Sequence, residues 1–460
     1  MKYSLVCIGR KTSIQNAIQQ IEQSPFDRAF VIDEAGVYAG CVVAADLRRL
    51  LVSGAEDEAP VDAFPMRHDY SLTGKSLKNP RQARALISDM ELKGVGFLPV
   101  VNPEGKITEI LSLEDIGNMY NIAEIEASAE RLVARKVLVV GGAGFLGSVL
   151  TRKLLTRGFR VRVLDNFIYG RKSLDDLAGE ENLEVVEGDL RNIHTCVNSL
   201  ADIDAVVLLA AIVGDPASKV RPTQTIETNV LAAQALAMAS KLHHIHRFLY
   251  ASTCSVYGIG DAVLDERAPL NPVSLYARTK IESEKIILGM GNSYFCPTVL
   301  RMGTLYGFSP RMRFDLVVNT MSMKSHVDGG IQVFGGNQWR PLLGVEDAAE
   351  VYIKCLEAKL EDVGNQVFNV GSDEQNYRID EVAQRISEAL GGISISRDQS
   401  NLDSRDYRVS FSKLADVLGY EPAQTIGQSA QEIVENLRSG VIRDPAHKIY
   451  YNHYFDSAEE

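Results

Sequence analysis

The stretch "KVLVVGGAGFLGSVLTRKLLTRGFRVRVLDN", residues 136–166, decides the fold of the larger part of the chain. An apolar strand pattern runs into a glycine-rich turn, an amphipathic helical pattern follows, and "RVRVLD" predicts a second strand. Apolar runs at 204–211 and 247–253 continue the alternation of strands with helices. Such alternation is typical of an α/β fold with a doubly wound parallel sheet.

The glycines of this stretch predict a dinucleotide site. Gly141, Gly144 and Gly147 form a G-x-x-G-x-x-G pattern between the first strand and its helix. Glycine permits a tight turn there and lets the helix N-terminus approach a pyrophosphate. Asp165 ends the second strand, where a carboxylate can accept hydrogen bonds from a ribose 2′-hydroxyl and would repel a 2′-phosphate. We therefore expect the site to bind NAD rather than NADP. The alternative is that the glycines serve only close packing of the turn and bind no cofactor.

Length and composition bound the class of protein. The 460 residues, 45% of them hydrophobic, predict about three structural units with apolar cores. A net charge of −12 argues against DNA or RNA as a partner, because nucleic acids are held by basic surfaces. No run approaches about 18 apolar residues, the first residues lack a signal-peptide pattern, and the six cysteines lack CxxC spacing. We expect a cytoplasmic protein without a membrane contact or a metal site.

The N-terminal part contains an internal repeat. "VIDEAGVYAGCVVAADL" (31–47) aligns without a gap to "VVNPEGKITEILSLEDI" (100–116), and helical patterns precede both copies, at 13–23 and 80–92. Each copy predicts a strand, a glycine turn, a second strand and a helix opened by an Asp. The duplication resembles a pair of CBS domains, over residues 1–120. The following residues, 121–135, predict a linker helix.

The resemblance to CBS domains implies a regulatory nucleotide site. In that family a Ser or Thr three residues before the Asp, together with the Asp, holds the ribose of an adenine nucleotide. Ser112 and Asp115 match this pattern, whereas Val43 precedes Asp46 in the first copy. We therefore expect at most one good site, and a packing module without a ligand is the alternative.

Residues 136–443 resemble the extended short-chain dehydrogenase/reductase family, in its nucleotide-sugar epimerase/dehydratase branch. The resemblance rests on the glycine motif, the two aspartates of "VLDN" and "EGDLRN", "STCSVYG", a Tyr-x-x-x-Lys motif and "RMGTLYG". It implies a Rossmann-like sheet with a smaller C-terminal substrate-binding region, and it leaves 444–460 as a tail. The implied cofactor contacts are Gly141, Gly144, Phe145, Leu146, Gly147, Asp165, Asn166, Asp189, Leu190 and Lys280.

The Tyr-x-x-x-Lys motif carries the expected chemistry. Tyr276 and Lys280 are four residues apart and share one helix face. A tyrosine with a pKa of about 10 is a poor base near neutral pH, and a nearby ammonium lowers that pKa. The resemblance implies that Lys280 also holds the cofactor ribose. It further implies that Thr253 hydrogen-bonds the sugar hydroxyl whose proton Tyr276 takes, while hydride passes to the nicotinamide.

The residues after Thr253 favour one reaction within the family. The family's 4,6-dehydratases have Asp and Glu there, an acid and a base that eliminate water, whereas this chain has Cys254 and Ser255. Serine is not a base near pH 7, and a thiol has a pKa of about 8.5. We therefore expect a C4 epimerase that oxidises and re-reduces one carbon. The alternatives are a net C4 dehydrogenase and, outside enzymes, an NAD- or nucleotide-sensing regulator.

The resemblance also assigns the substrate end and an assembly. Asn319 and Arg340 match family positions that contact the nucleoside diphosphate. Arg405 and Arg408 are candidate diphosphate ligands because a guanidinium binds phosphate bidentately, and each of the three arginines could instead be a solvated surface residue. Asp215 and Thr253 complete the predicted substrate contacts. Leu208 and Gly344 depart from histidines that are common in the family, which puts fine contacts in doubt. A homo-oligomer is expected through helices predicted at 224–242 and 276–290.

Overall fold

The computed structural model describes residues 7–24, 26, 28–67, 71–73, 83, 86–87, 89–90, 95–119, 136–292, 294–398 and 405–453. The chain divides into two compact units, Met1–Arg131 and Leu132–Glu460. The predicted linker helix at 121–135 lies outside the described residues, and so does most of the helical pattern at 80–92. No helix in the described ranges has the length and apolar content that crossing a membrane requires.

The N-terminal unit repeats one arrangement of three strands and a helix. Its strands are β1 (Cys7–Gly9), β2 (Arg28–Ile32), β3 (Tyr38–Val43), β4 (Leu72–Thr73), β5 (Phe97–Val101) and β6 (Ile107–Ser112). β1 and β4 run parallel to β2 and β5, which form antiparallel hairpins with β3 and β6. Its helices are Ile14–Glu22, Ala44–Val52 and Leu113–Met119. Gly36 and Gly105 turn the two hairpins, each with φ of +77°, so the predicted repeat is confirmed.

The two copies contact each other at equivalent positions. The Tyr38 N–H donates to the Gly105 carbonyl at 2.9 Å, and Val37 bridges to Lys106. Cys41 and Ile110, which are also equivalent, share a buried cluster with Phe30. Contacts between equivalent residues place the copies about a pseudo-two-fold axis.

The larger unit is built on a seven-stranded sheet. Its strands are β7 (Lys136–Val140), β8 (Arg160–Asp165), β9 (Leu183–Glu187), β10 (Ala205–Leu208), β11 (Arg247–Thr253), β12 (Ile259–Leu264), β13 (Cys296–Met302), β14 (Thr304–Tyr306), β15 (Gly330–Phe334), β16 (Trp339–Gly344), β17 (Gln366–Val370), β18 (Asn376–Arg378), β19 (Ser394–Asp398) and β20 (Asp406–Val409). The large sheet has the order β17-β13-β11-β10-β7-β8-β9, with all neighbours parallel. The strand order reverses between β7 and β10, where a ligand crevice is expected at the carboxyl ends.

Helices cover both faces of this sheet, as its apolar strands require. The α-helices of the unit are Phe145–Thr156, Ile193–Ser199, Asp215–Val220, Pro222–Ile226, Ala233–Leu242, Leu275–Gly289, Val317–Val327, Val345–Glu357, Leu360–Val363, Ile379–Ala389, Ser412–Leu418 and Ile426–Arg438. Side chains alternate along β7, so that Val137 and Val139 enter one core and Leu138 and Val140 the other. The predicted doubly wound fold is confirmed.

The C-terminal region adds small sheets to one end of the unit. β14, β16 and β18 form one, and β12 with β20 and β15 with β19 form two others. A separate core, with Tyr306, Ile331 and Ile379, holds this region together. Residues 444–453, part of the predicted tail, pack into the same unit, where the Phe314 N–H donates to the Tyr450 carbonyl at 2.9 Å.

Candidate active site

A cavity of about 290 Å³ lies at the carboxyl ends of the central strands. Its wall brings together residues that are far apart in the sequence, from the glycine turn through the Tyr-x-x-x-Lys helix to Asn452. All predicted cofactor contacts and the three predicted catalytic residues line it: Gly141, Gly144, Phe145, Leu146, Gly147, Asp165, Asn166, Asp189, Leu190, Thr253, Tyr276 and Lys280.

The glycine turn leaves no room for side chains. Gly141 has φ of +88°, and a Cβ on Gly147 would lie 2.0 Å from the Gly141 carbonyl oxygen. The helix Phe145–Thr156 begins directly after Gly144 without a side-chain cap. Its first N–H groups therefore stay available at the cavity, which suits a pyrophosphate.

Two carboxylates beside this turn are held by protein hydrogen bonds. Asp165 accepts from the N–H of Ala143 at 2.9 Å and of Phe167 at 2.8 Å, while burial raises its pKa. Burial also acts to raise the pKa of Asp189, but hydrogen bonds from Arg191 outweigh it and lower that pKa. Carboxylate oxygens retain further acceptor capacity, so both residues can receive ribose hydroxyls.

The catalytic candidates meet where β11 ends. Ser274 caps the helix Leu275–Gly289 by accepting from the Ala277 N–H at 3.2 Å, which puts Tyr276 in its first turn. The Lys280 Nζ donates to the Ala251 carbonyl at 2.8 Å and lies 5.9 Å from the centre of the Tyr276 ring. The side chain of Thr253 is close enough to the Tyr276 phenol to act to lower its pKa. Hydroxyl, phenol and amine thus share one wall of the cavity.

Burial sets the protonation of this group. It raises the pKa of the Tyr276 phenol, and the Arg313 guanidinium is the strongest influence that opposes the rise. It lowers the pKa of Lys280 to about 7, against the opposing charge of Glu284. We expected the Lys280 ammonium to lower the pKa of Tyr276, but in the structure that pKa is raised. The reason is that desolvation favours the neutral form of both groups.

The two residues after Thr253 offer no carboxylate to a substrate. The Cys254 thiol is buried and donates to the Arg301 carbonyl at 3.2 Å, and burial raises its pKa. Ser255 lines the cavity, and its N–H donates to the Thr253 hydroxyl at 3.1 Å. Among the described lining residues the carboxylates are Asp165 and Asp189, both beside the glycine turn.

Asp215 lies beside Arg405, one of the arginines that line the cavity. Arg405 lines the wall, and its Nη1 lies 3.6 Å from Oδ2 of Asp215. The second oxygen of Asp215 is buried, with no hydrogen-bond partner in the described part of the chain. An unpaired buried carboxylate oxygen at this place suits a hydroxyl donor.

Besides Asp215, three predicted substrate residues do not line the cavity. The buried amide of Asn319 accepts from the Gly307 N–H at 2.9 Å and donates to the Arg313 carbonyl at 3.0 Å. Arg340 donates to the carbonyls of Trp339 and Arg405. Arg408 donates to the Asp261 carbonyl at 2.9 Å. Asn319 and Arg340 thus support the backbone of two arginines that do line it, and their contact with substrate remains a prediction.

Sequence reasoning missed Arg311 and Arg313. Both line the cavity, and Arg313 pairs with Asp315 through contacts of 3.0 and 2.8 Å. The available signal was the R-x-R spacing inside "SPRMRFDLVVN", the segment that ends at the predicted substrate residue Asn319.

Asn229 was also missed, because no local pattern marks it. It lies in a π-helical turn, Glu227–Ala232, a feature that is frequent at functional sites. Its amide accepts from the Ile212 N–H at 2.8 Å and donates to the Thr279 hydroxyl at 3.2 Å. It thereby ties the Tyr-x-x-x-Lys helix to the loop after β10.

In the N-terminal unit, the predicted nucleotide pair forms a helix cap. The Ser112 hydroxyl donates to the Asp115 carboxylate at 2.7 Å, and the Asp115 N–H donates to the Ser112 hydroxyl at 3.0 Å. At the equivalent place in the first copy, Asp46 is 2.7 Å from Arg67. The cap gives Ser112 and Asp115 a structural role, and nucleotide binding there stays a prediction.

Known proteins share this architecture. A UDP-glucose 4-epimerase of Lactobacillus helveticus is 29% identical, over 62% of this chain and 92% of its own. A dTDP-glucose 4,6-dehydratase of Actinoplanes sp. is 30% identical, over 62% of this chain and 92% of its own. The structure of UDP-glucuronic acid 4-epimerase from Bacillus cereus with UDP-glucuronic acid and NAD has a TM-score of 0.59. It is 25% identical and covers 66% of this chain and 99% of that one.

Family models match both units. The CBS domain model matches residues 1–53, in the first of the two repeated copies. The model of the NAD dependent epimerase/dehydratase family matches residues 137–371, from β7 to the end of β17. NAD is the cofactor that these structural neighbours carry, and the glycine turn and Asp165 fit it. The chain therefore belongs to the NAD dependent epimerase/dehydratase family, as an enzyme with NAD as its cofactor and an N-terminal CBS domain.

Proposed function

We propose that the enzyme is a nucleotide-sugar epimerase that acts at C4 of the sugar. The observation that carries the proposal is the meeting of Thr253, Tyr276 and Lys280 at the dinucleotide cavity, with Cys254 and Ser255 rather than two carboxylates directly after Thr253. These three side chains beside a dinucleotide site suit oxidation and re-reduction at one carbon, because that reaction needs one proton acceptor and one hydride acceptor.

Each side chain has a defined task in this reaction. Thr253 holds the C4 hydroxyl in a hydrogen bond, and Tyr276 removes its proton. Arg313 favours the phenolate of Tyr276 electrostatically, and Lys280 holds the cofactor ribose. NAD supplies the hydride acceptor when bound. Bound NAD would also return the hydride to the keto sugar, and Tyr276 would give back the proton; inversion at C4 requires that the keto sugar present its other face before this return.

The cavity favours a substrate with a diphosphate. Two arginines that line it, Arg313 and Arg405, supply positive charge in a chain whose net charge is −12. Local guanidinium groups of this kind bind phosphate bidentately whatever the overall charge. The UDP- and dTDP-sugars named for the relatives support the same class of substrate.

Dehydration is disfavoured, although the relative named as a dehydratase is about as similar to this chain as the relative named as an epimerase. The Actinoplanes relative is named as a 4,6-dehydratase, so overall similarity does not separate the two reactions. Elimination of water needs an acid and a base near the sugar, whereas Cys254 is turned to a backbone carbonyl and Ser255 offers a hydroxyl.

A panel of UDP- and dTDP-hexoses and uronic acids, incubated with the NAD-loaded enzyme, tests the proposal. We expect a C4 epimer of unchanged mass by liquid chromatography and mass spectrometry, without net NADH at 340 nm. Stoichiometric NADH would instead identify a C4 dehydrogenase. Loss of one water from the sugar would overturn the proposed reaction.

A further inference from the structure

The loop after β14 packs directly onto the start of the glycine-rich helix. The Ser309 hydroxyl donates to the Phe145 carbonyl at 2.7 Å and lies 3.1 Å from the Ser148 hydroxyl. Both serines are fully buried, so this contact is fixed by packing. Arg311, two residues further on, is thereby anchored beside the helix end at which a pyrophosphate is expected.

The Arg311 guanidinium has a buried N–H donor without a partner among the described residues. Its side chain is 5% exposed yet lines the cavity, and its Nη2 donates to Oδ1 of Asn452 at 2.6 Å. Its Nε is buried without a partner among the described residues. A guanidinium carries five N–H donors, and leaving them unpaired in a buried place is costly. An acceptor from outside the chain would relieve that cost.

The surroundings hold the guanidinium rigidly, and among the described residues no carboxylate hydrogen-bonds it, although the charges of Asp315 and Asp165 act on it. It lies over the ring of Tyr169, 3.8 Å from the ring centre, and its direct hydrogen-bond partner, Asn452, is a neutral amide. Neighbouring Arg313, in contrast, has its own carboxylate in Asp315. Burial and Arg313 lower the pKa of Arg311 to about 10, so it remains a cation at neutral pH.

The C-terminal segment completes this wall. Asn452 is 5% exposed, lines the cavity, and accepts a weak hydrogen bond at 3.5 Å from the Tyr169 hydroxyl through its carbonyl. It lies 81 residues beyond the region that the family model matches.

We propose that Arg311, Tyr169 and Asn452 form a second wall of the cofactor site, in which the Arg311 guanidinium binds the pyrophosphate of NAD. Asn452 positions the guanidinium, and Tyr169 stacks beneath it. The first wall, the glycine turn and the helix N-terminus, supplies backbone donors only. The second wall supplies the positive charge that matches the diphosphate.

Calorimetry with NAD and with ADP-ribose on the NAD-free full chain tests this assignment. Arg311→Met weakens both ligands by about 10- to 100-fold, the range for loss of a charge-assisted hydrogen bond. Asn452→Asp weakens both more than Asn452→Ala does, because a carboxylate beside Arg311 neutralises it. Arg405→Met is the matched control, a cavity arginine paired with Asp215, and it leaves NAD affinity within about two-fold.

Two results would overturn the proposal. One is an unchanged NAD affinity in a folded Arg311→Met variant. The other is a loss of affinity for UDP with unchanged affinity for NAD, which would assign Arg311 to the substrate diphosphate. The Asn452 variants decide the matter even where Arg311→Met does not fold, because equal NAD affinities of Asn452→Asp and Asn452→Ala also contradict it.

Discussion

Tyr276 is the side chain on which the proposed reaction depends most directly. Its phenol faces the cavity beside Thr253, and a phenylalanine fills the same space without a proton acceptor. We expect Tyr276→Phe to lower kcat by about 10²- to 10⁴-fold, the range for loss of a general base. The glycine turn and Asp165 are untouched, so NAD affinity stays within about two-fold. Initial rates and an NAD titration measure the two quantities, and a rate near wild type would remove Tyr276 from the mechanism.

Lys280 predicts a pH-dependent contribution to stability. Burial lowers its pKa to about 7, whereas a lysine in the unfolded chain titrates near about 10.4. Between these values the unfolded state binds one more proton, so the contribution of Lys280 to stability rises with pH. Relative to Lys280→Met, the free energy of unfolding of the wild type rises by up to about 1.4 kcal/mol per pH unit above pH 7.

Denaturant unfolding of the NAD-free wild type and Lys280→Met at pH 7, 8 and 9 measures this difference. Taking the difference removes the contributions of the buried thiols and phenols, which titrate in both proteins. A difference that stays constant with pH would mean that Lys280 is charged throughout, as an exposed lysine is.

Among the elements, a buried cluster of Arg301, Glu284 and Ser252 links β13 and β11 to the helix that carries Tyr276 and Lys280. Arg301 of β13 contacts both carboxylate oxygens of Glu284 at 3.1 and 2.7 Å, and Ser252 of β11 hydrogen-bonds the same carboxylate. Ser252 directly precedes Thr253, and Glu284 lies one helical turn after Lys280. The pair therefore fixes the end of β11 against the Tyr-x-x-x-Lys helix.

Removing one partner of this pair should destabilise the larger unit strongly. Glu284→Ala leaves the Arg301 guanidinium buried and uncompensated, at a cost of about 3–5 kcal/mol. The control Glu282→Ala, at an exposed position on the same helix, changes stability by less than about 0.5 kcal/mol. Denaturant unfolding measures both, and equal stabilities of the two variants would mean that the pair contributes nothing.

The elements were predictable where local pattern decides them, and the cavity wall was predictable only in part. β7, the glycine turn and Asp165 lie within 31 consecutive residues, so period and turn chemistry suffice. The hairpins around Gly36 and Gly105 were predictable because residues 31–47 and 100–116 align as a repeat. The contact of Arg311 with Asn452 spans 141 residues and has no local signature. Arg340 and Arg408 were chosen for their charge, and tertiary packing turned both toward backbone carbonyls.

At the scale of the whole molecule, one helix presents an apolar stripe that favours self-association. Leu231, Met238 and Leu242 are 57%, 44% and 69% exposed, and their spacing places them on one helix face. We expect a homo-oligomer through this face, with about twice the monomer mass or more by light scattering.

Substitution within the stripe tests which surface is used. Leu231→Glu with Met238→Glu should yield a monomer at micromolar concentration. Val417→Glu, at an exposed apolar position elsewhere, should leave the mass unchanged. A monomeric wild type would contradict the prediction.

The last prediction concerns a nucleotide at the N-terminal unit. Ser112 and Asp115 retain the ribose-binding pattern, although they also cap a helix. The equivalent Asp46 is paired with Arg67 and lacks the hydroxyl partner. We therefore expect one adenine nucleotide to bind in the second copy. It changes the reaction rate only if it binds two conformations of the enzyme with different affinity.

Calorimetry with AMP, ADP and ATP on the full chain, saturated with NAD so that the dinucleotide cavity is filled, measures this binding directly. Asp115→Ala should abolish the heat, whereas Asp46→Ala, the matched change in the first copy, should leave it unchanged. Because Asp115→Ala also removes a helix cap worth about 1 kcal/mol, Ser112→Asp serves as a second variant that keeps an acceptor for the cap but places a second carboxylate at the ribose. Epimerase rates with and without the nucleotide then report the coupling. Absence of heat with all three nucleotides would leave the repeated unit with a packing role alone.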